Sequence, residues 1–483
     1  MENAIFVKLG GSSLATAELF QKAVGLYQAN NNRRFFVPSA PGAANKDEIK
    51  LTNLLIALAN RYEQTHYNIT AVPMHKEKEY RTDSLTELNL VQRITDKLSQ
   101  SCTGNGNLAA ETIQQIMTQL TAFPEDPRQH SANVQRMGEY FSAYNLAEAL
   151  VETLQKKSDN KPVKILDPLE FIALNGDNPL AGEILLEKTT RNFEQWKLAS
   201  YDPTAIYIMP GYYGKHDTKG TISLLDRDGT NMSFVLALIG LKPKLGENIS
   251  DVPGIYRASP KLISDAKLIN DITVRELYEL AQNGFNVFQP DSLMMIQRSG
   301  ICAPISIKNY DSAETEGTLI VNVKRNNEPV AGIGVRENVT YFTFEDPRMI
   351  NMQGYIANLS RTLTDLGLNI VRSPEGEGQL TYYIDDKSFV GRLHPHDILY
   401  ELSRKGYNLS RENIGRKSLI TLSGEGLSDG RIKAKAFTLL ADQFPTADLV
   451  GSSKVSVTYA VDREQLTPAV RIMHDYLTTL LNL

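Results

Sequence analysis

The sequence predicts an α/β protein in which a mainly parallel sheet, covered on both faces, precedes two smaller α+β units. Three observations predict it. The first two-thirds alternates short apolar stretches with amphipathic helical ones, Gly/Ser-rich turns fall where apolar stretches end, and the last third repeats one strand–helix–strand order. At 483 residues the chain is longer than one compact core usually sustains, so about two or three domains are expected.

Taken in order, Ile5 to Lys8 is strand-like, and Gly10-Gly11-Ser12-Ser13 turns into a helical run from Ala15 to Gln28. Phe35-Phe36-Val37 is a second strand, ending in the loop Pro38-Ser39-Ala40-Pro41-Gly42. Lys78 to Thr121 reads as helix with a Gly/Asn-rich turn at Gly104 to Asn107. Further strands are expected at Val163 to Leu166, Ala205 to Met209 and Pro304 to Lys308. In such sheets ligands sit at the carboxyl ends of strands, where these Gly/Ser loops fall. Asp311 to Gly317 is small and polar, as a linker would be, and Asn326-Asn327-Glu328-Pro329 marks another turn. The repeat then runs through Thr340 to Phe344 (strand), Met352 to Leu366 (helix) and Leu380 to Ile384 (strand). It recurs as Leu419 to Leu422, Arg431 to Ala441 and Val455 to Val461, with a closing helix from Leu466 to Leu481. Two βαββαβ-like units explain this order. Each has a sheet edge to cover, so pairing within or between chains is expected.

Composition excludes several classes. Hydrophobic residues at 42% and charged residues at 22% are ordinary for a soluble globular protein. With 56 acidic and 51 basic residues the net charge is -5, which argues against a polyanion as main partner. The two cysteines, Cys102 and Cys302, make neither a disulfide framework nor a zinc site. No basic segment precedes an apolar one at the N-terminus, and no apolar run approaches the roughly 20 residues that span a bilayer. A cytoplasmic protein with no nucleic-acid or membrane partner is expected.

The chemistry begins at Lys8-Leu-Gly-Gly-Ser-Ser13. Glycines after a strand let backbone N–H groups approach a phosphate, a helix N-terminus adds positive potential, and Lys8 can stabilise charge on a transferring phosphoryl group. Alone the motif is weak, and it is neither a GxxxxGK[ST] nor a GxGxxG loop. Its company is specific. Pro38-Ser-Ala-Pro-Gly42 leads to Leu51-Thr-Asn-Leu-Leu55, and Gly138-Glu-Tyr-Phe-Ser-Ala143 begins a helix. Pro210-Gly-Tyr-Tyr-Gly214 precedes Leu225-Asp-Arg-Asp-Gly-Thr-Asn231, and Ser250-Asp-Val-Pro-Gly-Ile-Tyr256 precedes Pro260-Lys261.

In this order the blocks resemble the aspartate kinases of the amino-acid kinase superfamily, over essentially the whole chain. The repeats resemble their tandem ACT domains, most clearly at Ser418-Leu-Ile-Thr-Leu-Ser-Gly-Glu-Gly426. The resemblance implies a three-layer kinase domain at 1–312, a linker at 313–330, and ferredoxin-like ACT domains at 331–405 and 406–483, the second free to interleave with the first. It implies Mg-ATP-dependent phosphorylation of L-aspartate to 4-phospho-L-aspartate. Lys8, Gly10, Gly11 and Ser12 would face the β- and γ-phosphates, and Ser250, Asp251, Tyr256 and Lys261 would lie along the nucleotide. Ser39 and Thr52 would bond the acceptor, Glu139 would hold its ammonium, and Arg227 would clamp a carboxylate by two-point contact. Mg²⁺ would bridge the phosphates with no ligand named from the protein. A homodimer or tetramer, and an allosteric amino acid near Met352 to Tyr355 and Ser373 to Gly378, are implied as well.

Residue by residue, simpler roles exist: dipole compensation for Glu139, core packing for Tyr256, a surface pair with Asp226 or Asp228 for Arg227. The family's Leu-Gly-Arg-Gly-Gly-Ser-Asp is here Leu225-Asp-Arg-Asp-Gly-Thr-Asn231, so Asn231 stands where an acid meets the acceptor's ammonium. The family's Asp-Pro-Arg is Ser259-Pro-Lys261, and a Lys and a His are replaced by Asn286 and Gln289. Three readings stay open: an active aspartate kinase, a kinase with a changed acceptor, and a catalytically weak scaffold whose ACT pair senses an amino acid.

Overall fold

The computed structural model describes residues 1–481 other than 2, 46, 68–84, 105, 122–125, 227–228, 286–287, 301–302, 377, 390–394, 408 and 410–412. Contacts divide the chain into two units, Met1–Ile255 with Phe288–Val323, and Tyr256–Val287 with Lys324–Leu483.

In the first unit, β1 (Ile5–Leu9) leads through a 3-10 turn at Gly11–Leu14 into α1 (Ala17–Ala29), whose start Thr16 caps. The glycine turn therefore opens a 3-10 turn and not the α-helix itself, because Thr16 is the better N-cap. There follow β2 (Arg33–Pro38), α2 (Leu51–Tyr67), α3 (Glu87–Ser101), α4 (Asn107–Thr121), α5 (Pro127–Gln135), α6 (Met137–Lys156) and β3 (Val163–Ile165). Next come α7 (Pro168–Phe171), β4 (Ala173–Asn175), β5 (Glu183–Ile184), α8 (Leu186–Ser200), β6 (Ile206–Ile208), β7 (Tyr213–His216), β8 (Ile222–Leu224), α9 (Gly229–Leu241) and β9 (Leu245–Ile249). The chain gives β10 (Asp271–Thr273) and α10 (Val274–Gln282) to the second unit. It returns with α11 (Pro290–Ser299), β11 (Ile305–Lys308) and β12 (Thr318–Val321).

The main sheet of this unit runs β12-β11-β9-β1-β2-β6-β3, parallel except for the β11–β12 pair. Every residue of β1 is buried, as a central parallel strand covered on both faces requires. On one face α1 and α6 set Phe20, Val24, Leu146 and Leu150 against Val7, Leu9, Phe36 and Ile208. On the other lies α9, whose residues are all buried, beside α8 and α11. The expected three-layer α/β class is the observed one. A smaller sheet, β5-β4-β7-β8, and a helical subdomain of α2 to α5 around Leu58, Ile94, Leu98 and Ile116 complete the unit. The stretch 78–121 is two helices, as read from sequence, with Lys78 to Ser84 outside the described residues.

The second unit is one antiparallel sheet with helices on it. Its strands are β13 (Gly332–Glu345), β14 (Ile370–Arg372), β15 (Glu375–Gly376), β16 (Gln379–Asp385), β17 (Ile414–Ser423), β18 (Asp448–Ser452) and β19 (Ser456–Asp462). They run β14-β16-β13-β17-β19-β18, with β15 pairing β16 off this path, so the central β13–β17 pair joins the two sequence repeats into one sheet. Helices at Tyr355–Asp365 and Pro395–Arg404 cover the first repeat, and those at Gly430–Gln443 and Leu466–Leu481 cover the second. Glu276 of α10 is fully buried and paired with Lys324 at 2.7 Å, while its other oxygen caps α10 through Thr273.

Beneath the first unit's sheet the charges are also paired. Arg33 meets Glu247 at 2.7 Å, Lys308 meets the same carboxylate at 2.9 Å, and both cations also bond the Ala313 carbonyl. Removing one partner of a buried pair strands the others. Glu247→Leu should therefore lower unfolding stability by about 3–5 kcal/mol. Urea unfolding of wild type and variant checks this; a difference under about 1 kcal/mol contradicts it.

Candidate active site

Lys8 is the fourth residue of β1, opposite Val37 of β2 and Asn248 of β9. It is buried although cationic, and its Nζ lies 3.6 Å from where a Cβ on Gly10 would stand. The lysine thus ends at the edge of the glycine turn. Gly10 N–H donates to Ile249 O at 3.1 Å, which sets Ser250 and Asp251 beside the turn. Ser250 is half-buried, while Ser12 and Asp251 are exposed.

The turn is clamped to the loop after β2. Gly42 N–H donates to Gly11 O at 2.8 Å and Ser39 N–H to Leu9 O at 3.0 Å. A Cβ on Gly42 would lie 2.5 Å from the Gly11 carbonyl carbon, and one on Gly11 would lie 2.9 Å from Ala40 O. Neither contact admits a side chain, so glycine is a steric requirement at both positions. The start of α6 closes on the same loop: a Cβ on Gly138 would meet that of Ala40 at 2.6 Å. Two of these segments meet backbone against backbone, and the third packs Gly138 against the Ala40 methyl group. Ser39 and Thr52 are half-buried at the two ends of the loop so fixed.

Glu139 follows Gly138 into this contact. Its carboxyl is 4% exposed, takes hydrogen bonds from the Ala40 backbone and the Thr230 hydroxyl, and leaves Oε2 without a partner. Burial pushes its pKa up to about 8 against an ordinary value of 4.5, the hydrogen bonds opposing this only in part. Thr230 and Asn231 begin the fully buried α9, and the Asn231 Oδ1 is likewise buried without a partner. Tyr212 sits at φ 79°, its ring against Gly229 and its hydroxyl donating to Gln135 Oε1 at 2.8 Å. Burial, then the Glu139 and Asp226 carboxylates, raise the Tyr212 pKa.

Lys8, Gly10, Gly11, Ser39, Thr52 and Glu139 are therefore brought together, with Ser12, Ser250 and Asp251 on the turn side and Asn231 on the α9 side. Arg227 and Asp228 lie outside the described residues, and Asp226 is exposed. Tyr256 and Lys261 belong to the second unit, where Tyr256 is half-buried against the core cluster that includes Ile263 and Val457 and Lys261 is exposed. Of the nucleotide-side replacements, Asn286 lies outside the described residues and Gln289 precedes α11.

Residues not singled out from sequence also shape the site. Asn248, beside Lys8 in register, buries an Oδ1 with no partner; a polar residue in a core strand was the available signal. Arg136, at the joint of α5 and α6, sets its guanidinium 5.3 Å from the Tyr213 ring centre. Thr230 had no signal, since its partner Glu139 is remote in sequence. Among the described residues there is no group of three or more His, Cys, Asp or Glu able to hold a metal, and no helix long and apolar enough to cross a membrane.

The family model described as "Amino acid kinase family" matches residues 3–309, more than half of the chain. The chain belongs to the amino acid kinase family. Aspartokinase 3 of Bacillus subtilis is 26% identical over 480 residues, covering 97% of both chains. The crystal structure of Clostridium acetobutylicum aspartate kinase matches the fold with a TM-score of 0.77 at 21% identity, covering 98% of this chain and 100% of that one. A structure of E. coli aspartokinase III in complex with aspartate and ADP matches with a TM-score of 0.71 at 22% identity, covering 98% and 99%. This amino acid kinase thus shares the whole-chain fold of those enzymes.

Burial of Glu139 ties stability to pH. Between about 4.5 and 8 the folded state keeps a proton that the unfolded state gives up, so stability falls as pH rises through that window. Glu139→Gln removes this dependence. Its melting temperature relative to wild type should therefore be higher at pH 8.5 than at pH 5, each pKa unit amounting to about 1.4 kcal/mol. Glu63, raised by burial to about 7, acts in the same direction but is common to both proteins. A wild-type-to-variant difference independent of pH contradicts the assignment.

Proposed function

We propose that this amino acid kinase is an aspartate kinase, transferring the γ-phosphoryl group of ATP to the β-carboxylate of L-aspartate. Supporting this are whole-length similarity to an aspartokinase, the block order of the motifs, and one observation above others: the lysine-edged glycine turn is clamped backbone to backbone onto the loop that covers the buried, half-satisfied Glu139.

In this reading a carboxylate oxygen of the acceptor attacks the γ-phosphorus, the bond from phosphorus to the β,γ-bridging oxygen breaks, and ADP leaves with that electron pair. Lys8 and the N–H groups of Gly10 to Ser12 stabilise charge on the phosphoryl oxygens. Ser39 and Thr52 bond the acceptor, and Arg227 clamps a carboxylate. Glu139 gives up its proton on binding and pairs with the acceptor's ammonium, which supplies the hydrogen bond that Oε2 lacks. Mg²⁺ would neutralise the triphosphate, held mainly by phosphate oxygens and water, and the exposed Asp251 beside the turn fits a water-mediated role. Residues 1–312 form the kinase body in this reading, and 331–405 with 406–483 the ACT pair. That pair binds a regulatory amino acid and joins two or four copies of the chain.

A second reading, a changed acceptor, is favoured by Asn231. Its buried amide replaces the acid of the family pattern, and the flanking loop carries Asp226 and Asp228. Losing one charged partner weakens acceptor binding by about ten- to a hundredfold. ADP release measured against a panel of amino acids separates the readings. Turnover with aspartate alone, abolished by Lys8→Ala, supports aspartate kinase activity. Joint Asp226→Gly, Asp228→Gly and Asn231→Asp substitution should lower the KM for aspartate. Wild-type saturation at low aspartate with no gain in the variant would remove this loop from the acceptor site, and activity with a different acid would favour the second reading. Sedimentation of the full chain at micromolar concentration should show a dimer or larger species; a monomer would contradict assembly through 331–483.

A further inference from the structure

Helix α3 carries none of the residues assigned to either substrate, yet it buries a lysine against both of their loops. Lys97 is 3% exposed. Its Nζ pairs with Glu48 Oε1 at 2.6 Å and also donates to Ala15 O at 3.3 Å. Ala15 directly follows the glycine turn, and Glu48 lies in the loop between Ser39 and Thr52. The other carboxylate oxygen, Glu48 Oε2, accepts the Ala44 N–H at 2.5 Å, so the carboxylate organises that loop from within. One turn further along α3, Ser101 Oγ donates to the same Ala15 carbonyl at 3.1 Å. The C-terminal end of α3 is anchored in turn to the helix that bears Glu139, where buried Asn145 Nδ2 donates to Ser101 O at 2.9 Å. The opposite side of the turn is held too, the Tyr310 hydroxyl donating to Ser13 O at 2.8 Å.

We infer that Lys97 is a positioning residue that couples the two half-sites: by holding Glu48 and Ala15 together it makes the acceptor loop and the phosphate turn adopt their working geometry as one body. The backbone bonds Ser39–Leu9 and Gly42–Gly11 join the two segments where they leave β1 and β2. The Lys97 contacts add an attachment further along both, at Glu48 and Ala15. Lys97 touches neither substrate, so its loss weakens binding of both and their mutual reinforcement. The inference rests on the kinase reading, since the two loops are assigned to nucleotide and acceptor there.

The test uses the full chain and three variants: Glu48→Gln, which keeps size and exposure; Lys97→Met, which keeps the buried stem; and Lys97→Arg, which keeps the charge. In Glu48→Gln and Lys97→Met the KM for ATP and the KM for aspartate should each rise about five- to tenfold, with kcat changing less than about threefold. Lys97→Arg should recover part of the loss. Combining Glu48→Gln with Lys97→Met should cost no more than the worse single change, because both break one contact. Calorimetry adds the readout that a merely structural role would not move. MgADP binding should be tightened by aspartate in wild type, and that tightening should shrink in both variants. Lowered melting temperatures with unchanged KM values and unchanged tightening would overturn the inference while leaving the kinase reading intact. A rise in only one of the two KM values would overturn the coupling. A wild type that releases no ADP with aspartate or any amino acid of the panel would overturn both.

Discussion

The first unit depends on one steric constraint: the glycine turn after β1 and the loop after β2 touch backbone to backbone. Gly42 lies against the Gly11 carbonyl and Gly138 against the Ala40 methyl group, so neither glycine has room for a methyl group of its own. Glycine costs conformational entropy wherever it is ordered, and here that cost yields an approach no other residue permits. From this contact the rest follows. Lys8 reaches the edge of the turn, Ser39 and Thr52 bracket the loop, and Glu139 is carried in by the helix that Gly138 starts.

The same closeness buries Glu139, and the electrostatics follow from that burial. Burial raises the Glu139 pKa, and the hydrogen bonds from Ala40 and Thr230 oppose this only in part. Under the proposed function an arriving ammonium would reverse the balance and couple its own binding to proton release. Beneath the sheet the same physics is met differently. Arg33, Glu247 and Lys308 are as deeply buried but are paired with one another, so they tie β2, β9 and β11 together. These three are completed by one another, whereas Glu139 keeps one buried oxygen without a partner.

Much of this is legible in the sequence because local pattern and tertiary role coincide there. β1, β2, β6 and β11 read as apolar runs since parallel strands are buried on both faces. The doubled strand–helix order after Asn309 is clear because each repeat covers one sheet face with amphipathic helices. What was hidden depends on remote partners. β9, Leu245–Ile249, carries Gly246, Glu247 and Asn248 and so lacks an apolar signature; its polar groups are explained only by Arg33, Lys308 and the site. β12 follows a polar turn and has a signature too short to stand out. Lys97 reads as an ordinary helix-surface lysine until Glu48 and Ala15 are seen beside it. The start of α1 shifted from Ala15 to Ala17 because Thr16 caps the helix and the glycines before it prefer a tighter turn.

The most direct measurement is a crystal structure of the wild-type chain with a non-hydrolysable ATP analogue, Mg²⁺ and L-aspartate. The expected density places the terminal phosphate on the Gly10–Gly11 turn within hydrogen-bonding distance of Lys8 Nζ. The aspartate ammonium should lie on Glu139, with its side-chain carboxylate directed at that phosphate. A nucleotide bound away from the turn, or an acceptor whose ammonium turns from Glu139, would contradict a site organised by this backbone contact.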